Sequence, residues 1–260
     1  MYPNICQIYG PLYLNSYGLA IFIGILVFIK LANNNKRREK LTSKDNFINI
    51  VVYGTLVGVV GGRLLDVLNN YKNYSLYEAL AFWEPGYSVL GSIISITIFL
   101  FWYLRKEKIP VSPFLDLVGI YAPLLQSISR IGCFFAGCCF GAKTNLPWAI
   151  TYTHPDLATH AAYMFTPIHP TQLYSSAILF VAFLIMLHLA KVVKTPGLLF
   201  TSYLMLSASE RFIVDFWRAD REFYNIELLK ILSIHQWISM VIFMLSFFGF
   251  IYLFKSRKVK

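Results

Sequence analysis

Apolar residues run along this chain in long blocks, separated by short polar or basic stretches, and not in the brief clusters of a water-soluble fold. Seven blocks approach the roughly 20 residues that cross a hydrocarbon layer about 30 Å thick. They cover about 13–31, 47–68, 86–104, 114–133, 171–192, 197–217 and 234–254. The fourth and sixth are the weakest, because each contains ionisable residues or Pro and Gly. No period-2 alternation of a barrel strand is present, and backbone polar groups in lipid must be satisfied internally, so the blocks predict helices. The expected fold is all-α, a polytopic membrane bundle of seven transmembrane helices with a small extracytoplasmic cap at about 134–170.

No linker rich in Ser, Pro or Gly divides the chain, so residues 1–260 are expected to form a single integral membrane domain. No internal repeat is visible, which argues against transporters assembled from two related halves. The segment 134–170 contains Pro147, Pro155, Pro167 and Pro170 and reads as a folded cap, not another span. In the second block Gly54, Gly58 and Gly62 recur every four residues, a small-residue stripe suited to close helix packing. Residues 1–12 lack Lys and Arg, so the first block is expected to remain as a span and not to be cleaved as a signal.

Composition agrees with the pattern: 57% of residues are hydrophobic and 14% charged, with a mean hydropathy of +0.57. A net charge of +10 raises the possibility of nucleic acid. Its distribution answers that. With the N-terminus outside, the inner loops and tail hold 15 of the 23 basic residues, including Lys36, Arg37, Arg38, Arg105, Lys106, Lys194, Arg257, Lys258 and Lys260. The outer loops hold Lys72, Lys143, Arg218, Arg221 and Lys230. This asymmetry is the positive-inside pattern for seven crossings with the C-terminus in the cytoplasm, and no nucleic-acid partner is expected.

Three arginines, Arg63, Arg130 and Arg211, fall within or at the edge of spans, where each costs about 2.5–3.5 kcal/mol at the membrane centre. Arg63 has Asp66 three residues on and Arg211 has Asp215 four residues on, at helical contact spacing. Arg130 has no acidic residue within ten positions on either side. It needs a distant partner, solvent or an anionic ligand, and a guanidinium fork fits phosphate oxygens. Arginines converging on one place would hold a phosphate-bearing lipid. Cys133, Cys138 and Cys139 follow Arg130 closely, and three readings stay open for them: small side chains filling an apolar site, a disulfide, or a metal or redox role. The C-x4-C-C spacing matches none of the usual zinc patterns.

Several stretches together resemble the prolipoprotein diacylglyceryl transferases, bacterial membrane enzymes that lipidate lipoprotein precursors. They are "SYGL" at 16–19, "GGR" at 61–63, "GYSVLGS" at 86–92, "RIGCFFAGCCFG" at 130–141, "LPW" at 146–148, "HPTQLY" at 169–174 and "RFIVDFWR" at 211–218. The resemblance implies transfer of a diacylglyceryl group from phosphatidylglycerol to the lipobox cysteine in the signal peptide of a prolipoprotein. Glycerol phosphate is released, at the outer face of the bacterial cytoplasmic membrane, with surrounding membrane lipids and without a metal or other cofactor. It implies catalytic parts for Arg130, Arg211, His169 and Tyr17. It implies substrate-binding parts for Arg130, Arg63, Gln172, Tyr174, Gly141, Cys133 and Cys138.

The chain departs from the family pattern at definite positions. Leu90, Gly91 and Ser92 stand where the family has a histidine and two glycines. Cys133 replaces an asparagine, Cys138 a glutamate, and Ser175 the glutamate after "HPTQLY". A thiol substrate is already a few per cent ionised at neutral pH, so a dedicated base can be partly dispensable or replaced by His169. Two rival readings remain: a divergent member with thiol redox or metal-handling chemistry, and a carrier for an anion or lipid.

Overall fold

A computed structural model describes residues 3–10, 12–84, 86–155, 157–226 and 229–256. The basic tail residues Arg257, Lys258 and Lys260, part of the positive-inside pattern, lie outside the described residues. A two-stranded sheet, β1 (Asn4–Tyr9) with β2 (Leu12–Asn15), precedes α1 (Ser16–Asn33), α2 (Lys36–Glu39), α3 (Lys44–Asn69) and α4 (Leu76–Leu80). Then come α5 (Val89–Lys106), α6 (Val111–Ala136), β3 (Ile150–Thr151), β4 (Pro167–Ile168), α7 (Thr171–Val192), α8 (Leu198–Val214) and α9 (Ile234–Ser256).

Among the described residues six helices, α1, α3, α5, α6, α7 and α9, are long and apolar enough to cross a membrane. The block read at 197–217 becomes the shorter α8. Its 17 residues rise about 25 Å at 1.5 Å each, short of the hydrocarbon thickness. The reason is local: beyond Val214 the backbone tightens into a 3-10 turn at Asp215–Trp217.

The chain divides into two compact units. One contains residues 9–12 and 31–114. There α3 starts at Ser43, whose hydroxyl accepts from the amide of Asn46, and α5 starts at Ser88, which accepts from Gly91. These two helices pack through the predicted small-residue stripe. A Cβ on Gly91 would lie 2.5 Å from the Gly61 carbonyl, one on Gly58 would meet Ile96, and Ser92 donates to the Gly58 carbonyl at 2.8 Å.

The other unit contains residues 1–8, 13–30 and 115–260. Within it α1 meets α6 at Gly132, where a Cβ would lie 2.7 Å from that of Ala20. Ser127 of α6 and Ser176 of α7 each donate to the other's carbonyl, at 2.8 and 3.0 Å. The start of α8 is capped from another helix. The buried carboxylate of Asp116 on α6 accepts from the amides of Gly197 and Phe200 at 2.7 and 2.8 Å, where the helix dipole favours negative charge. Residues between α6 and α7 fold on their own small core of Tyr152, Leu157 and Ile168, and β3 pairs antiparallel with β4 in the register Ile150↔Ile168.

Candidate active site

The larger unit brings three chain segments together at the end of α6. Gly141 donates its amide to the His169 carbonyl at 3.0 Å, and His169 donates to the Ala142 carbonyl at the same distance. Ala142 donates to the Trp217 carbonyl at 2.8 Å, and Gly141 and Arg218 face each other as an isolated antiparallel bridge. Any side chain at 141 would intrude here, since a Cβ would come within 2.7 Å of the His169 carbonyl and 2.8 Å of that of Trp217. The "RIGCFFAGCCFG", "HPTQLY" and "RFIVDFWR" blocks, far apart in sequence, are therefore one backbone construction.

The entrance of α7 clamps the cysteine turn. Thr171 donates to the Cys139 carbonyl at 2.8 Å, and the buried Gln172 donates through Nε2 to the Cys138 carbonyl at 2.7 Å and to the Tyr152 hydroxyl at 3.1 Å. Gln172 Oε1 is buried without a hydrogen-bond partner among the described residues. Cys139 is held at φ 60°, a left-handed conformation that costs a residue with a Cβ of order 1–3 kcal/mol. All four cysteines are free thiols, so a disulfide does not supply this constraint. Hydrogen bonds from the Cys133 and Cys138 thiols, followed by the charges of Arg218 and Arg130, push the Cys139 thiol down from its ordinary pKa.

His169 lies beside Tyr174, with Nδ1 3.2 Å from the phenol oxygen, which also accepts from Trp148 Nε1 at 2.7 Å. Burial lowers the pKa of His169, so the ring is neutral at pH 7. Tyr17 approaches through the α1–α6 contact, where a Cβ on Gly132 would stand 3.3 Å from its Cα.

The charges are unequal. Asp215 is buried and shared by Arg211 at 3.4 Å, Arg221 at 3.6 Å and the Ser233 hydroxyl. Arg218, itself buried, makes a two-pronged contact to Asp220 at 2.7 and 2.6 Å. Partial desolvation opposes ionisation of the largely exposed Asp220, but these bonds and the Arg218 charge overcome it and hold the carboxyl below its usual range. Glu210 is buried against Ser175 and feels the charges of Arg130, Arg211 and Arg218. Four guanidiniums thus stand among three carboxyls. No hydrogen bond or ion pair engages the Arg130 guanidinium among the described residues, and its charge acts on Arg211.

The family model described as "Prolipoprotein diacylglyceryl transferase" matches residues 3–252. The chain belongs to that family. It is 31% identical to the phosphatidylglycerol–prolipoprotein diacylglyceryl transferase of Clostridium tetani (strain Massachusetts / E88), over 96% of this chain and 97% of that protein. It is 32% identical to the protein of that name from Thermotoga maritima, over 96% and 85%. It is 30% identical to phosphatidylglycerol–prolipoprotein diacylglyceryl transferase 2 of Clostridium perfringens (strain 13 / Type A), over 98% and 94%. By these names its relatives are transferases.

Of the residues nominated by the likeness to these diacylglyceryl transferases, all but Arg63 fall in the larger unit. Arg63 is buried in the other, where it donates to the carbonyls of Gly86 at 2.9 Å and Glu78 at 2.6 Å and lies over the rings of Tyr74 and Tyr87. Its expected neighbour Asp66 accepts from the Tyr74 hydroxyl at 2.6 Å. Leu90 is exposed near the start of α5. Sequence reading overlooked Glu210, although a carboxyl inside an apolar block was a visible signal. It counted Arg218 as an ordinary outer-loop charge; nothing in the one-dimensional pattern shows that this residue is buried.

Proposed function

We propose that this chain transfers the diacylglyceryl group of phosphatidylglycerol to the lipobox cysteine of a prolipoprotein, in the bacterial cytoplasmic membrane. In the reaction the cysteine sulfur bonds to the glyceryl carbon while the bond from that carbon to the phosphate oxygen breaks. Glycerol phosphate leaves with the electron pair, and the thiol proton goes to a neighbouring acceptor. Negative charge grows on the phosphate, so cations fixed in advance beside it lower the barrier. The observation that carries this reading is Arg130: among the described residues, a guanidinium without an ion pair, in a cluster where arginines outnumber carboxyls, in electrostatic reach of Arg211.

Arg130 and Arg211 hold the phosphate, with Arg218 added by its place in the same cluster. Gln172 Oε1, an acceptor in need of a donor, suits a glycerol hydroxyl, and Gly141, Cys133 and Cys138 line the turn that positions it. His169, neutral at pH 7 and braced by Tyr174, accepts the thiol proton; Tyr17 orients the headgroup. Arg63 has a secondary part, because its Nη1 and Nη2 already hold the carbonyls of Gly86 and Glu78. In the membrane, α8 together with the 3-10 turn Asp215–Trp217 that follows it completes a seventh crossing. The N-terminus faces out, the C-terminus faces the cytoplasm, and residues 134–170 form the outer cap.

Genetic rescue tests the function. The host's own diacylglyceryl transferase is depleted, this chain is expressed, and a reporter lipoprotein is weighed by mass spectrometry. Gain of the diacylglyceryl mass on the reporter supports the reading. An unmodified reporter with the chain present in the membrane contradicts it.

A further inference from the structure

The three thiols at the end of α6 make and break no bond in the transfer reaction. The sulfur atoms of Cys133, Cys138 and Cys139 all lie within 4.8 Å of one another, and Cys133 is buried. From this geometry we infer that the chain carries a binding site for one thiophilic metal ion of the Zn(II)/Cu(I) class, with Cys133, Cys138 and Cys139 as its three ligands.

Distance is the first argument. With metal–sulfur bonds of about 2.3 Å, three sulfurs around one ion sit about 3.8–4.0 Å apart, in tetrahedral or trigonal arrangement. No two of these sulfurs are more than 4.8 Å apart, so at most about an ångström of closure brings them to that spacing, whereas a disulfide needs two of them about 2.05 Å apart and leaves the third over. Soft thiolate ligands select Zn(II) and Cu(I) over hard cations.

The backbone is the second argument. Cys139 takes a positive φ that favours glycine, and this turn brings the adjacent residues Cys138 and Cys139 to the same cluster as Cys133. The turn is fixed from outside: Thr171 holds the Cys139 carbonyl, Gln172 holds that of Cys138, and the Cys138 amide donates to the Cys133 carbonyl at 3.2 Å. Such outer contacts orient metal ligands in advance. Charge is the third. Three thiolates around a monovalent or divalent ion leave negative charge behind, and the buried Arg218, whose backbone pairs with Gly141 two residues beyond Cys139, brings a cation to this end of α6.

The C-x4-C-C spacing did not announce such a site, because the usual patterns describe ligands on regular turns. Here a left-handed residue places two consecutive cysteines together. The inference does not rest on the lipid-transfer reading, since binding is measured without lipid substrate.

The test uses the full-length protein in detergent, kept reduced with a thiol-free reductant, titrated with Zn(II) or Cu(I) against a competing chromogenic chelator. One equivalent of either ion per chain is expected, with C139S weaker by at least about 10-fold, since losing a ligand costs no less than losing the outer contacts that orient it. C6S, which alters only the thiol in β1, should bind as the unaltered chain does. In the unaltered chain, bound ion should shield Cys133, Cys138 and Cys139 from alkylation, mapped by mass spectrometry, and leave Cys6 reactive. That second readout needs no variant to fold. Absence of binding by either ion, full binding by C139S, or unshielded cluster thiols in the ion-loaded chain would each overturn the site.

Discussion

The side-chain amide of Gln172 donates to the backbone carbonyl of Cys138 across 2.7 Å, joining the first turn of α7 to the turn that ends α6. A polar clamp buried at this depth replaces solvent for a carbonyl that would otherwise be unsatisfied. Removing it with Gln172→Leu should cost about 1–3 kcal/mol, the usual penalty for orphaning a buried acceptor. The check is thermal unfolding in detergent, where the variant should melt earlier and lose transfer activity in parallel.

Gly141 sits where three strands of backbone meet, and a methyl group there runs into the carbonyls of His169 and Trp217. Gly141→Ala should therefore push His169 and Arg218 apart without changing any charge. The expected result is a loss of transfer of at least about tenfold, since small misplacements of positioned groups cost this much or more. Rates measured on membrane-inserted variant, beside Ala142→Gly as a neighbouring control, decide it.

Asp215 balances Arg211 and Arg221 in a buried setting, so removing its charge leaves cations facing each other. Breaking a buried pair typically costs about 3–5 kcal/mol. Asp215→Asn should lower the unfolding temperature sharply, and by more than Asp220→Asn, whose carboxyl is exposed and pairs with Arg218 near the surface.

Burial lowers the pKa of His169 below the ordinary histidine value of about 6.5. As pH falls past that ordinary value, the unfolded chain binds a proton that the folded chain refuses. The neutral ring's contribution to stability is therefore complete above about 6.5 and is lost as pH falls through the folded pKa. If His169 accepts the thiol proton, kcat/KM should also hold below pH 6.5 before its acid limb begins, and His169→Gln should remove that limb. Steady-state rates across acid to neutral pH provide the measurement.

Hydrophobic blocks reported most helices faithfully because, in lipid, length and apolarity decide what crosses. The block at 171–192 became α7 with the same bounds. The block at 197–217 overran, since the pattern cannot register where Asp215 turns inward and the helix tightens. The glycine stripe of α3 was legible as packing because helical spacing alone sets its face. The convergence of Gly141, His169 and Arg218 was not, as it depends on backbone bonds between segments distant in the chain. Internal pairing was foreseen for Arg211 with Asp215 from their spacing, while the carbonyls that hold Arg63 left no trace in residue types.

The most direct measurement is turnover of purified Arg130→Ala with phosphatidylglycerol and a lipobox peptide, after confirming that the variant unfolds at a normal temperature. A preorganised cation aimed at the leaving phosphate predicts a fall of about 10²–10³-fold, only partly recovered by Arg130→Lys. Near-normal turnover by the alanine variant would contradict the account.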